Sequence, residues 1–224
     1  MTARNKDDTG TLPGLSGPVP SVALWIGGGC ILVELVLLVA DLGLVGSPLW
    51  RSLAYQNGAF WPGLLWGWQP NYAAQPILMF VTYAFLHSGI WHLLGNMLAL
   101  VVLARIAADH VGQGAFVLIY GVSALGGGAV FGVLALGPQP MVGASGALFG
   151  LAGAWQYWDY ADAARGHRRG WHLARAFGSL VVLNLVLWVA FAGALAWQTH
   201  LGGFLTGWMM AGLLHRRRAG RPDQ

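Results

Sequence analysis

Two polar side chains in apolar surroundings could together carry out nucleophilic chemistry. Ser145 lies in the run GASG at 143–146, and His200 opens the run HLGG at 200–203. A serine hydroxyl is a poor nucleophile until an adjacent base takes its proton, and a histidine ring is suited to that task. If the segments that carry the two side chains pack together, His200 comes within hydrogen-bonding distance of Ser145.

A second polar group lies in an earlier apolar segment. His92 and Asn96 are four residues apart, about 40° around a helix, so both can face one cavity. His87 lies five residues before His92 and is expected to point well away from it. The alternative is that each side chain hydrogen-bonds a neighbouring helix and holds a bundle together. Glu34 and Asn184 are further polar residues in apolar segments; for Glu34 a structural hydrogen bond or a position near an interface is favoured over catalysis.

Glycines near both Ser145 and His200 predict close helix packing. Gly203 and Gly207 form a G-x-x-x-G pair on the segment of His200, which lets two helices meet backbone to backbone. The expected partner is the small-residue face of the Ser145 segment, which comprises Gly143, Gly146 and Gly150. That face can equally serve packing alone, since a lone G-x-S-G motif is weak evidence for a nucleophile.

The composition requires membrane-spanning helices to position these residues. Hydrophobic residues make up 56% of the 224-residue chain and charged residues only 9%, whereas about a quarter of the residues of a soluble domain are charged. The 34 glycines fit helices that approach closely in a bilayer. Cys30 is the single cysteine, which excludes a disulfide within this sequence and a cysteine-based metal site.

Six apolar segments are each near the roughly 20 residues that a bilayer needs. They cover residues 21–45, 77–107, 114–136, 141–160, 173–195 and 197–214. Residues 46–75 contain three prolines and four tryptophans and are expected to form a partly embedded interfacial loop. The predicted fold is an all-α membrane protein with six transmembrane helices and a long loop between helices 1 and 2. The predicted organisation is a flexible cytoplasmic leader (1–20), a six-span domain (21–214) and a basic cytoplasmic tail (215–224).

The basic residues predict the orientation of this bundle. With both termini in the cytoplasm, eleven of the twelve Lys and Arg residues fall on the cytoplasmic side and only Arg51 falls outside. That asymmetry is what the positive-inside rule predicts. The net charge of +4 therefore reports topology and not a nucleic-acid partner. The polar residues of spans two, four and six then lie toward the outer surface and could converge on one site.

Taken together, these motifs resemble the rhomboid family of intramembrane serine proteases. The similarity runs from span two to span six: His87, His92 and Asn96 have the family's spacing, the GASG run opens span four, and His200, Gly203 and Gly207 lie on span six. The resemblance implies a rhomboid-like bundle in a bacterial inner membrane. It also implies, as partners, the lipid bilayer and single-span membrane-protein substrates, which are cut near the outer leaflet.

The resemblance further implies a Ser–His dyad that works without an aspartate, a metal or a cofactor. Ser145 would be the nucleophile and His200 the general base. The Asn96 amide, the His92 ring and the backbone N–H of Ser145 would stabilise the oxyanion, at about 3–4 kcal/mol for each donor. Phe149 takes the place of a family tyrosine that packs on the catalytic histidine, and it can stack as well.

One departure from the family pattern concerns the loop before span two. Leu78-Met79 stands where many members have Trp-Arg, so a different anchor for this loop is expected. Two alternatives to the protease remain. One is a non-proteolytic rhomboid-like protein that binds transmembrane helices or assists a membrane complex. The other is a haem- or metal-binding protein that uses His87, His92 and His200. The residues argue against it, because two haem ligands should lie at matched depth on facing spans and these histidines do not form such a pair.

Overall fold

Eight α-helices build the part of the chain that the computed structural model describes, residues 18–163 and 169–219. They are α1 (Ser21–Asp41), α2 (Trp50–Gly58), α3 (Gln75–Thr82), α4 (Ile90–Val111), α5 (Gln113–Leu134), α6 (Ser145–Ala163), α7 (Arg169–Ala190) and α8 (Trp197–Ala219), with 3₁₀ turns at Pro62–Leu65 and Tyr83–Phe85. Most of the predicted leader, residues 164–168 between the fourth and fifth predicted spans, and the end of the predicted tail lie outside the described residues.

Four of these helices are long and apolar enough to cross a membrane. They correspond to α1, α4, α5 and α7, the last from Gly170. The other two long helices, α6 and α8, have 19 and 23 residues but carry polar ends, such as WQYWD at 155–159 and HRRR at 215–218. They pack against each other, and α6 also contacts α4, α5 and α7. Each of the six predicted spans therefore contains most of one long helix, and four of these helices have the hydropathy of a span.

The second predicted span, residues 77–107, is not one helix. Helix α3 ends at Thr82, the chain is extended at Leu86, and α4 begins only at Ile90 after Gly89, whose φ is 113°. The carbonyl oxygen of His87 accepts hydrogen bonds from Arg51 and Tyr55 and makes no helical bond. A tertiary contact from α2 thus interrupts a segment whose hydropathy alone favours a continuous helix.

The segment predicted as an interfacial loop, residues 46–75, is ordered by hydrogen bonds within itself and to α5. It contains α2, which the proline-rich composition did not predict. The indole N–H of Trp61 donates to the Tyr55 carbonyl oxygen at 2.8 Å, and that of Trp66 donates to the Gly132 carbonyl oxygen in α5 at 3.1 Å. Tryptophan serves here as a hydrogen-bonded anchor between the loop and the helix bundle.

The polar groups of the bundle divide between its two ends. His92, Ser145 and His200 lie in the first turns of α4, α6 and α8. At the other end of α6, Asp159 hydrogen-bonds His172 at 2.7 Å and also bonds Arg175 of α7. The candidate catalytic residues are therefore at the end of the bundle opposite this charged cluster.

Candidate active site

Glycine contacts between α6 and α8 bring Ser145 and His200 together. A Cβ atom on Gly203 would overlap the carbonyl oxygen of Gly146, and a Cβ on Gly207 would overlap that of Gly150. Only glycine allows this approach of the two backbones. It is the approach expected from the G-x-x-x-G spacing, and it places the first turn of α8 beside the first residue of α6.

Ser145 and His200 form a hydrogen-bonded pair at this contact. The His200 Nε2 atom lies 2.9 Å from the Ser145 Oγ atom. His200 is 2% exposed, and its ring stacks on Phe149 with ring centroids 4.0 Å apart and planes 11° apart. Phe149 is one helical turn after Ser145, so a single helix supplies both the hydroxyl and the surface on which the ring rests.

The other ring nitrogen of His200 has a partner on α7. The His200 Nδ1 atom lies 2.8 Å from the Asn184 Oδ1 atom. The sequence marks Asn184 as a polar residue in an apolar span but assigns it no role. The signal was a lone amide in the apolar run LVVLNLVLWV at 180–189. The hydrogen-bond partner of Asn184 could not be predicted from the sequence, because the rotation of α7 about its axis depends on tertiary packing.

The chain just before Ser145 is held by the loop region. Phe60 and Met141 exchange two backbone hydrogen bonds of 2.9 Å, and the Gly143 N–H donates to the Tyr83 carbonyl oxygen at 2.9 Å. Gly143 has φ 122°, a conformation that glycine adopts readily. These bonds delay the start of α6 to Ser145, four residues after the predicted start of span four, and fix the position from which the hydroxyl projects.

His92 lies against this segment. A Cβ on Gly143 would lie 2.9 Å from the His92 Nε2 atom. The backbone N–H of Ser88 donates to His92 Nδ1 at 3.3 Å, and the Ser88 hydroxyl oxygen is 2.9 Å from the same nitrogen. Because a backbone N–H can only donate, Nδ1 is an acceptor and the proton of the neutral ring is on Nε2. The protonated edge of His92 therefore faces the segment that precedes Ser145.

Asn96 and His87 make contacts that the spacing did not predict. The Asn96 Nδ2 atom donates to the His92 carbonyl oxygen at 2.9 Å, within α4. His87 was expected to point well away from His92, and this is wrong: their rings are edge to face, with centroids 5.3 Å apart. The break before Ile90 is the reason, since the two residues do not share one helix. Both ring nitrogens of His87 are buried without a partner among the described residues.

A second charged cluster, formed by Arg51, Glu34 and Asp41, anchors the loop beside His87. Arg51 of α2 donates to Glu34 at 2.9 and 3.1 Å, to Asp41 at 2.6 Å and to the His87 carbonyl oxygen at 3.1 Å. Burial lowers the pKa of the Arg51 guanidinium, but its hydrogen bonds to Glu34 and Asp41 outweigh burial and raise the pKa overall. Burial raises the pKa of the neighbouring Tyr55 hydroxyl. Glu34 thus has the structural role favoured for it.

A buried apolar side chain occupies the position of the departure at Leu78-Met79. Met79 is fully buried in an apolar cluster with Phe60 and Tyr83, so it packs where a Trp-Arg pair would bring a charge. Arg51, which lies 28 residues before Met79 in the chain, bonds this loop to Glu34 and Asp41 of α1. Arg51 is therefore a candidate for the different anchor that the sequence predicts.

The described helices define a helical membrane protein in which Ser145 and His200 form a hydrogen-bonded pair at one end of the bundle. A family model of the Rhomboid domain matches residues 74–217. The chain belongs to the rhomboid family, which confirms the resemblance of its motifs, and with its four apolar helices it is an integral membrane protein.

Individual relatives support this assignment over part of their length. Rhomboid protease GluP of Bacillus subtilis is 32% identical over 143 residues, which cover 62% of this chain and 26% of that protein. RHOMBOID-like protein 2 of Arabidopsis thaliana is 35% identical over 180 residues, or 78% of this chain and 48% of that protein. RHOMBOID-like protein 5 of the same plant is 30% identical over 143 residues, or 60% and 43%. The chain spans less than half the length of these relatives.

Proposed function

We propose that this protein is an intramembrane serine endopeptidase that cleaves transmembrane segments of other membrane proteins. The observation that carries the proposal is the 2.9 Å hydrogen bond between Ser145 Oγ and His200 Nε2. A serine paired with a histidine base is the arrangement that activates a hydroxyl for acyl transfer. Membership of the rhomboid family and the similarity to Rhomboid protease GluP of Bacillus subtilis support the same reaction.

The reaction follows from this pair. The Ser145 proton passes to His200 Nε2 while Oγ bonds to the scissile carbonyl carbon, whose π electrons move to the oxygen. The imidazolium of His200 then gives the proton to the leaving amine as the C–N bond breaks, which leaves an acyl-serine. Water, deprotonated by His200, attacks the acyl carbon, and the acid product leaves as the Ser145 hydroxyl is restored.

Three donors would stabilise the oxyanion. The Ser145 backbone N–H is at the first residue of α6, where helix N–H groups lack intrahelical acceptors and the helix dipole favours negative charge. The His92 Nε2–H edge faces the same segment. The Asn96 amide has two N–H groups and uses one of them for the His92 carbonyl oxygen. Its second N–H is available for the oxyanion, and each donor would be worth about 3–4 kcal/mol.

The membrane arrangement we propose has six spans, in which α6 and α8 cross the bilayer inside a ring of more apolar helices. Both termini, including the leader at 1–20 and the tail at 215–224, would lie in the cytoplasm, and the membrane would be a bacterial inner membrane. The site would open toward the outer leaflet, opposite the Asp159 cluster, and receive single-span substrates there. Polar backbone and water at that depth are tolerated because protein surrounds them.

Cleavage of a membrane-embedded reporter tests this proposal. Purified protein and a single-span reporter with a fluorescent tag on each end would be reconstituted together in liposomes. We expect tag separation with wild-type protein and none with Ser145→Ala or His200→Ala. Capture of the reporter by wild-type and variants alike, with no cleavage by any of them, would favour a non-proteolytic protein that binds transmembrane helices.

A further inference from the structure

Asn184 is a polar side chain in a row of apolar residues on α7, at positions 176, 180 and 187. Ala176 and Leu180 pack with Phe149 and Phe204, and Leu187 packs against the same cluster. Asn184 lies one turn after Leu180, at the position in this row where a leucine would extend the packing. A polar group in such a row costs free energy unless it is hydrogen-bonded, so its contacts indicate why it is there.

The two hydrogen bonds of Asn184 fix the orientation of its amide. Nδ2 lies 2.8 Å from the carbonyl oxygen of Leu180, which can only accept. The NH₂ group must therefore face Leu180, and the amide oxygen must face His200 Nδ1, 2.8 Å away. An amide oxygen can only accept, so Nδ1 of His200 carries the proton.

We infer that Asn184 is a positioning residue that sets the tautomer of His200. A neutral imidazole has one N–H, and Asn184 holds it on Nδ1. Nε2 is then left with its lone pair toward the Ser145 hydroxyl, which is the form that can take the serine proton. Asn184 thus takes the orienting place that a carboxylate holds in other serine hydrolases, as a neutral acceptor. The effect of this tautomer on catalysis rests on the proposed protease function.

The acceptor comes from a different helix from both members of the pair it serves. Phe149 supports the ring of His200 by stacking, but a ring face cannot select between the two nitrogens. The amide of Asn184 makes that selection through the ring edge. Stacking and tautomer control are therefore separate contributions, from α6 and α7 respectively.

Substitutions at Asn184 separate the acceptor from packing. Asn184→Leu has a similar volume, continues the apolar row and removes the acceptor, whereas Asn184→Asp keeps an oxygen in the same place. Val186→Leu is the matched control, at a position of α7 that is 57% exposed. Two readouts are needed: the tautomer of His200 from ¹H–¹⁵N spectra of histidine-labelled protein, assigned by subtraction with His200→Gln, and the rate at which a fluorescent phosphonate labels Ser145.

We expect Asn184→Leu to lose the Nδ1–H tautomer and to slow labelling about tenfold or more. Asn184→Asp should keep the tautomer and most of the rate, and Val186→Leu should match wild type. An unchanged tautomer in Asn184→Leu overturns the inference, whether or not labelling falls. A tautomer that shifts in Asn184→Leu while wild-type protein fails to label supports the inference and refutes the protease function instead.

Discussion

Replacing Arg51 by methionine is expected to destabilise the protein strongly, because it leaves a carboxylate without a partner inside the bundle. Glu34 is 0% exposed on α1, and Arg51 holds both of its carboxylate oxygens. Methionine keeps an unbranched apolar stem and removes the guanidinium with its charge. The prediction therefore concerns the buried Glu34 and not the packing of α2.

The cost follows from the burial of the pair. Removing one partner of a buried ion pair typically costs about 3–5 kcal/mol. Removing the charge of the other partner, as in Glu34→Gln, should cost much less. The Arg51 side chain is 21% exposed and keeps Asp41 as a partner, so its charge remains solvated and paired.

A double-mutant cycle measures this difference. The free energy of unfolding would be obtained from SDS titrations in mild detergent for wild type, Arg51→Met, Glu34→Leu and the double variant. We expect a loss of about 4 kcal/mol for Arg51→Met, most of it recovered in the double variant because no buried charge remains. An equal loss in Arg51→Met and in the double variant would show that the unpaired charge of Glu34 is not the cause, and would refute the reasoning.

Three further substitutions test the packing and the chemistry of the site. Gly207→Ala places a methyl group on a backbone oxygen of α6 and should lower the unfolding free energy by about 2–3 kcal/mol, whereas Gly95→Ala, with open space around it, should not; equal stability of the two variants would contradict the close contact. Phe149→Ala should slow phosphonate labelling by removing the surface under His200, and Phe149→Tyr should keep the wild-type rate. Asn96→Ala should lower the kcat of reporter cleavage about 10²–10³-fold with little change in KM, and an unchanged kcat would remove Asn96 from the oxyanion site.

The sequence predicted those parts of the fold that depend on local pattern. Hydropathy located five of the six long helices of the described residues to within about five residues, because burial in lipid requires long apolar runs, but it merged α3 and α4 into one span. Small-residue spacing predicted which helices meet most closely, since a G-x-x-x-G pair such as Gly203 and Gly207 has few other uses in an apolar helix. The motifs also indicated the family, and the Rhomboid domain match confirmed it.

The features that the sequence did not predict depend on contacts between distant segments. The helix break before Ile90 exists because Arg51 and Tyr55, more than 30 residues earlier, bind the His87 carbonyl oxygen. The Glu34 partner and the Asn184 acceptor depend on how α2 and α7 rotate and dock. Nothing in the hydropathy of a helix specifies that rotation when most of its surface faces lipid, as in α7.

The most direct test of the central hypothesis is to locate the site of covalent labelling. Folded, detergent-purified protein would be treated with a fluorescent phosphonate and the modified peptide identified by mass spectrometry, alongside Ser145→Ala and His200→Ala. An activated serine predicts one adduct, on Ser145, that is absent from both variants. An unlabelled wild-type protein, or a Ser145 adduct that forms equally well without His200, would contradict the Ser–His mechanism.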